Sequence, residues 1–160
     1  MTIEEIEKRI PHRSPMLLLD EIVTQDDSNI HCRKTFHEDE FFVQGHFPGH
    51  PIVPGVIQCE CCLQAGAILL SAQPTEDQPT EDQPTEASGL VPVATRMDSV
   101  KFKRMVRPGD TVDVHVTLND QVSNAYFLTG KMLVAGKLAA RLDFACSIAN
   151  PQAAASGEKQ

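Results

Sequence analysis

Residues 56–71 constrain the fold more than any other part of the sequence, because they are apolar around nearly the whole circumference of a helix. The segment contains no proline and one glycine, and its length corresponds to about four helical turns. A helix that is hydrophobic on all sides is normally buried on most of them. Neighbouring elements must therefore enclose this helix.

Short β-rich segments lie on both sides of the predicted helix. Before it, residues 16–24 and 29–36 flank a polar turn and predict a hairpin. Two later segments alternate apolar and polar residues, which is typical of antiparallel strands that cover a core on one face. The later strands are predicted at 90–106, 111–118, 125–134 and 137–148. The fold class is therefore α+β, with a curled antiparallel sheet wrapped around one long buried helix.

The length of 160 residues suits one domain, which we predict over residues 1–150, beginning with a short helix at 2–10. Residues 73–88 repeat an acidic pentapeptide that offers almost nothing apolar to bury, which predicts a disordered insert. Residues 151–160 are small and polar, and we expect a flexible tail.

The net charge of −8 argues against a nucleic-acid partner. Outside the insert the chain has 14 basic and 17 acidic residues, which leaves room for a local basic surface. No apolar segment approaches the roughly 20 residues that span a bilayer, so we expect no membrane insertion. The N-terminus lacks the features of a secretory signal, and five cysteines suit reduced thiols. These features predict a cytoplasmic protein.

His46 and Glu60 are the residues best suited to chemistry. His46 lies in a loop, residues 43–55, that contains three glycines and three prolines and should be rigid. A carboxylate such as Glu60 is costly inside an apolar helix unless it is paired or used. From the residues alone, Glu60 could instead bond Gln64 or point to a solvated edge. An imidazole beside a buried carboxylate is, however, a common general acid and base combination.

The motif from Gly45 to Val56, followed by Glu60 and Gln64, resembles the signature of the FabZ-type 3-hydroxyacyl-acyl carrier protein dehydratases, whose fold is the hotdog. Residues 11–20 resemble the opening motif of that family, and residues 100–110 resemble its later strand and turn. The resemblance covers about residues 3–148 apart from the insert.

The resemblance implies dehydration of a (3R)-3-hydroxyacyl-acyl carrier protein to the trans-2-enoyl product. It makes His46 the catalytic base that takes the α-proton, Glu60 the catalytic acid, and the Gly55 amide the donor to the thioester carbonyl. It requires no metal and no cofactor, since the substrate carries phosphopantetheine. The further substrate contacts it implies are Phe47, Pro48, Val56 and Gln64.

The implied partners are acyl carrier protein and a second copy of the chain. In the expected homodimer, or a trimer of such dimers, two sheets join edge to edge and His46 of one subunit faces Glu60 of the other. The carrier is acidic, so we expect a basic surface at the entrance to the site. The candidates are Lys101, Lys103, Arg104 and Arg107, although alternating lysines are also typical of any exposed strand.

Other functions compete with dehydration. A thioesterase of the same fold would hydrolyse the thioester, and a non-catalytic acyl-binding subunit would lack one member of the catalytic pair.

Cys59 and Cys62 form a Cys-x-x-Cys motif, but a zinc site needs two more ligands. The cysteines, Cys61 included, are therefore expected to pack as small apolar residues. Glutamate at position 60 favours simple dehydration over the isomerising FabA type. Gln58 and Arg96 depart from the family pattern, and chain length and pathway stay open.

Overall fold

The computed structural model of the chain describes residues 2–73 and 91–149. The predicted insert, apart from Gln73, and the predicted tail lie outside these residues. In chain order the elements are α1 (Ile3–Glu7), β1 (Glu21–Gln25), β2 (Asn29–Thr35), α2 (Gly55–Ser71), β3 (Val91–Phe102), β4 (Thr111–Val122), β5 (Ala125–Val134) and β6 (Lys137–Ala149).

The six strands form one antiparallel sheet in the order β1-β2-β4-β5-β6-β3. Helix α2 packs against every strand from β2 to β6, and most of its side chains are buried. The predicted arrangement of a sheet around one long helix is therefore confirmed. Neither helix in the described segments has the length and hydropathy that a membrane crossing requires.

The core lies between α2 and the inner face of the sheet. On β4 the alternation predicted from the sequence holds, since Val112, Val114 and Val116 are all buried. Close packing requires small residues where the helix meets the sheet. A Cβ atom at Gly66 would lie 2.8 Å from the Phe144 ring, and one at Gly130 would lie 2.8 Å from Cβ of Cys62.

The first predicted strand is wrong over residues 16–20, because β1 begins only at Glu21. The backbone N–H of Leu18 donates to Gln64 of α2 at 2.9 Å, and its carbonyl accepts from the Cys61 thiol at 3.6 Å. This segment therefore lies along the helix, where Leu18 and Leu19 are buried. Helix α1 is also shorter than predicted, and β3 ends at Phe102 rather than at residue 106.

Candidate active site

The loop between β2 and α2 holds His46 in a fixed position. Gly45 and Gly49 have φ angles of +84° and +75°, a region that side-chain-bearing residues rarely adopt. The backbone of His46 bonds on both sides, since its N–H donates to Val43 at 3.0 Å and its carbonyl accepts from Ile52 at 2.8 Å. These glycine turns and hydrogen bonds define the path of the loop, and the rigidity expected from the sequence stays a prediction.

The imidazole of His46 is oriented by a second contact with the same loop. Its Nδ1 lies 3.0 Å from the carbonyl oxygen of Ile52. A carbonyl only accepts hydrogen bonds, so Nδ1 carries a proton, and in the neutral ring Nε2 has the free lone pair. The ring also stacks on Phe47, with 4.3 Å between ring centroids. This geometry presents Nε2 as a base.

Glu60 is the only charged residue of α2, all of whose residues the structure describes. Its carboxyl oxygen Oε1 accepts a hydrogen bond from Nε2 of Gln64 at 2.9 Å and lies 3.4 Å from Nε2 of His12. Burial alone would raise the pKa of Glu60, but the contacts with His12 and Gln64 outweigh burial and hold the pKa below its ordinary value. The group is therefore a carboxylate at neutral pH in the isolated chain.

Gln64 supports Glu60 and is almost completely buried. Its Oε1 accepts from the N–H of Leu18, while its Nε2 donates to Glu60 and to the carbonyl of Met16. Because a backbone N–H can only donate, the orientation of the amide is fixed. Both amide hydrogens are used within the protein, and the predicted contact of Gln64 with the substrate stays a prediction.

Within the described residues of one chain, His46 and Glu60 make no hydrogen bond or ion pair with each other. His46 contacts Ile52 and Phe47, whereas Glu60 contacts His12 and Gln64. This separation is compatible with the predicted pairing across two subunits. It does not place either residue at the site of a partner.

The other predicted substrate contacts lie around the start of α2. Gly55 is its first residue, and a Cβ there would come within 2.6 Å of the Phe102 ring. The first N–H groups of a helix lack intrahelical acceptors, so the Gly55 amide is suited to a thioester carbonyl. Phe47, Pro48 and Val56 are all exposed, with Val56 at 75%. Their contact with a substrate stays a prediction.

The four predicted docking residues, Lys101, Lys103, Arg104 and Arg107, are all exposed. None of them forms an ion pair with a carboxylate in the part of the chain that the structure describes, whereas Arg96 pairs with Asp98 at 2.6 Å. Because β3 ends at Phe102, Lys103 does not share a strand face with Lys101 as predicted. Its N–H donates instead to Ala139 at 2.7 Å.

The cysteines of α2 are packing residues in the structure. Cys59, Cys61 and Cys62 are buried, and burial raises the pKa of each thiol. Thiolates are the forms that attack substrates and bind metals, so these surroundings disfavour both roles. All five cysteines are free.

His12 is a residue that sequence reasoning did not assign to the site. It belongs to the opening motif, yet its ring contacts Glu60, which follows 48 residues later. In the sequence His12 is visible only as a histidine after Pro11 in the opening motif of the family. Nothing local to residue 12 identifies a carboxylate as its partner.

Comparison with known proteins shows the family of the chain. The family profile described as the FabA-like domain matches residues 10–143. The chain is 40% identical over 132 residues to a protein of Oenococcus oeni named 3-hydroxyacyl-[acyl-carrier-protein] dehydratase FabZ, and the match covers 80% of this chain and 87% of that protein. A protein of the same name from Erythrobacter litoralis is 35% identical over 152 residues, covering 94% and 95% of the two chains.

Solved structures show the same fold at lower identity. The dehydratase heterocomplex ApeI:P from Xenorhabdus doucetiae superposes with a TM-score of 0.72 at 19% identity, over 92% of each chain. The Escherichia coli PaaI protein superposes with a TM-score of 0.60 at 16% identity, over 79% and 81% of the chains. The predicted hotdog fold is confirmed.

Proposed function

The chain belongs to the FabA-like family, in which its relatives are FabZ-type dehydratases, and from this premise we propose that it converts (3R)-3-hydroxyacyl-acyl carrier protein to the trans-2-enoyl thioester. It is a hydro-lyase of fatty-acid or related acyl-chain biosynthesis. The observation that carries the proposal is the anchored carboxylate of Glu60 on a helix that has no other charged residue.

The reaction moves two protons and breaks one carbon–oxygen bond. Nε2 of His46 takes the α-proton, and negative charge develops on the thioester oxygen, where the Gly55 N–H can stabilise it. The β-hydroxyl then leaves as water with a proton from Glu60. Substrate that displaces water increases the burial of Glu60 and so favours the protonated acid. Proton exchange with solvent afterwards resets both groups, and no metal or cofactor enters the scheme.

The second copy of the chain is proposed to pair along β3. This strand is one edge of the sheet, and most of its residues are exposed. Edge strands with exposed apolar side chains are usually covered in soluble proteins. The large apolar residues exposed on β3 are Val93, Met97, Val100 and Phe102. A homodimer joined at this edge covers them, and trimers of such dimers are compatible with it.

The carrier protein is proposed to dock on the exposed cations between Lys101 and Arg107, described above. Lys101 lies near the end of the edge strand and the other three follow it. All four are close in sequence to Phe102, which packs over the start of α2. A carrier bound there would lie near the helix end that receives the thioester. A cytoplasmic location is part of the same proposal.

Assays of His46→Ala and Glu60→Gln test the proposed function. With 3-hydroxyacyl carrier-protein substrates of several chain lengths, each variant should lose about 10²- to 10⁴-fold of the dehydration rate, since general acid and base groups contribute this much. Product mass distinguishes loss of water from hydrolysis, and released free thiol would identify a thioesterase instead.

His50→Ala and Glu38→Gln are matched controls. Both residues are exposed, and His50 lies four positions from His46 in the same loop. Their rates should remain near that of the unmodified protein. Near-normal turnover by His46→Ala or Glu60→Gln would contradict the proposed mechanism.

A further inference from the structure

The two oxygens of the Glu60 carboxylate differ in their surroundings. Oε1 receives both contacts, from Gln64 at 2.9 Å and from His12 at 3.4 Å. Within the described residues, Oε2 makes no hydrogen bond or ion pair. The side chain retains 26% of its exposure. One oxygen is thus anchored to the protein while the other is left for a substrate.

The Nε2–H group of His12 points at Glu60 both when the imidazole ring is neutral and when it is protonated. A carboxylate only accepts hydrogen bonds, so Nε2, the nitrogen that faces Oε1, is the protonated one. Its Nδ1 is buried and has no hydrogen-bond partner in the described parts of the chain. The contact with Glu60 is therefore the one polar contact that sets the orientation of the ring.

The distance of 3.4 Å is longer than the usual 2.7 to 3.2 Å for N–H···O. Hydrogen bonds of catalytic groups are often long in the free enzyme and tighten only with substrate. Gln64 bonds the backbone of Met16 and Leu18 and so keeps the segment that carries His12 next to α2. A small movement of the His12 ring would then be enough to shorten its distance to Glu60. His12 and Gln64 thus reach the same oxygen from two elements.

We propose that His12 is a positioning residue of the dehydratase, which together with Gln64 holds Oε1 of Glu60 so that Oε2 faces the β-hydroxyl. This inference rests on the proposed function. His12 itself touches no reacting atom in the scheme. Its loss should therefore lower kcat with little change in KM, because substrate contacts are retained while the carboxylate becomes free to rotate.

The charge state of Glu60 provides an independent readout. Among the described residues, the contacts that lower the Glu60 pKa come from His12 and Gln64, and the nearby Cys61 thiol of α2 is neutral because burial raises its pKa. The contact with His12 lowers the Glu60 pKa, so its removal must raise that pKa. The limb of the pH–rate profile that reports Glu60 should therefore move to higher pH.

Two substitutions that differ by one methylene group test the proposal. In His12→Gln the side-chain nitrogen can occupy the place of Nε2, whereas in His12→Asn the shorter amide falls short of Glu60. We expect His12→Asn to lose about 10-fold or more in kcat, and His12→Gln to stay within about 3-fold of the unmodified enzyme. The Glu60 limb should be displaced to higher pH in His12→Asn. Thermal melts of both variants establish that the fold is retained.

Glu60→Gln, assayed in parallel, separates this inference from the proposed function. Equal kcat values and equal pH profiles for the Gln and Asn variants, with Glu60→Gln inactive, would overturn the role of His12 alone. A rise in KM with unchanged kcat would also overturn it, since His12 would then contact the substrate. An active Glu60→Gln would overturn the proposed function itself.

Discussion

Individual charges on the protein surface are proposed to govern how carrier-protein substrates bind. The chain has a net charge of −8, which opposes an acidic partner at long range. Lys101, Lys103, Arg104 and Arg107 are exposed and unpaired by any described carboxylate. Because surface charges act within about one Debye length, roughly 8 Å at physiological salt, a local basic cluster can outweigh a distant acidic excess.

Reversing two of these charges should slow the capture of carrier-protein substrates. We expect Lys101→Glu with Lys103→Glu to lower kcat/KM for carrier-bound substrates, with the loss diminishing at high salt, because rim charges mainly affect association. A small thioester mimic should react unchanged. Lys131→Glu with Lys137→Glu is the matched control, since both lysines are exposed and the change in net charge is the same. Equal losses on both substrates would show that Lys101 and Lys103 support the fold or the site.

The sequence predicts which residues belong to the candidate site where a motif contains them, but it does not predict all of the contacts between their side chains. His46 and Glu60 are identified because glycines, prolines and an apolar helix make their surroundings unusual. The bond from Gln64 to Glu60, four residues apart on one helix, is the alternative that the sequence offers, and the structure contains it. The contact of His12 with Glu60 could not be predicted, since it crosses 48 residues of sequence. The catalytic roles of His46 and Glu60 stay predictions.

At the scale of elements, α2 could be predicted almost to the residue, from 56–71 in the sequence to Gly55–Ser71 in the structure. Its length and all-round hydrophobicity together predict a helix that is buried on most sides. The apolar segment at 16–20 was predicted as strand because hydrophobicity does not distinguish a sheet core from the surface of a buried helix. Both backbone hydrogen bonds of Leu18 go to side chains of α2, which no local pattern reveals.

Packing of α2 against the sheet should be sensitive to one methyl group. Gly66→Ala gains about 1 kcal/mol of helix propensity, but its Cβ would lie 2.8 Å from the buried Phe144 ring and 3.4 Å from Leu128. Overpacking of a core costs about 1–3 kcal/mol. We expect a net loss in the free energy of unfolding, measured by urea denaturation.

A double-mutant cycle with Phe144→Leu identifies the cause of that loss. Leucine removes the ring atoms that a Cβ at Gly66 would meet, so the double variant should be more stable than the sum of the single effects by about 0.5 kcal/mol or more. Strict additivity would mean that Phe144 does not oppose the new methyl group.

At the scale of the whole molecule, a single subunit leaves the sheet edge at β3 exposed and the proposed catalytic pair apart. Val93, Met97 and Phe102 are each more than 40% exposed on that strand. A two-fold axis beside β3 would cover these side chains in both copies at once, because such an interface uses the same surface twice. In the proposed dimer there are two equivalent sites, each with His46 from one subunit and Glu60 from the other.

Mixing two inactive variants tests this architecture. A dimer of one His46→Ala subunit and one Glu60→Gln subunit has one site with both intact residues and one site with neither. Random exchange makes half of the dimers mixed, so about a quarter of the unmodified activity should return. Each variant incubated alone is the control, and mass spectrometry of the intact assembly measures how much exchange has occurred. If mixed dimers form and activity does not return, His46 and Glu60 must act within one chain.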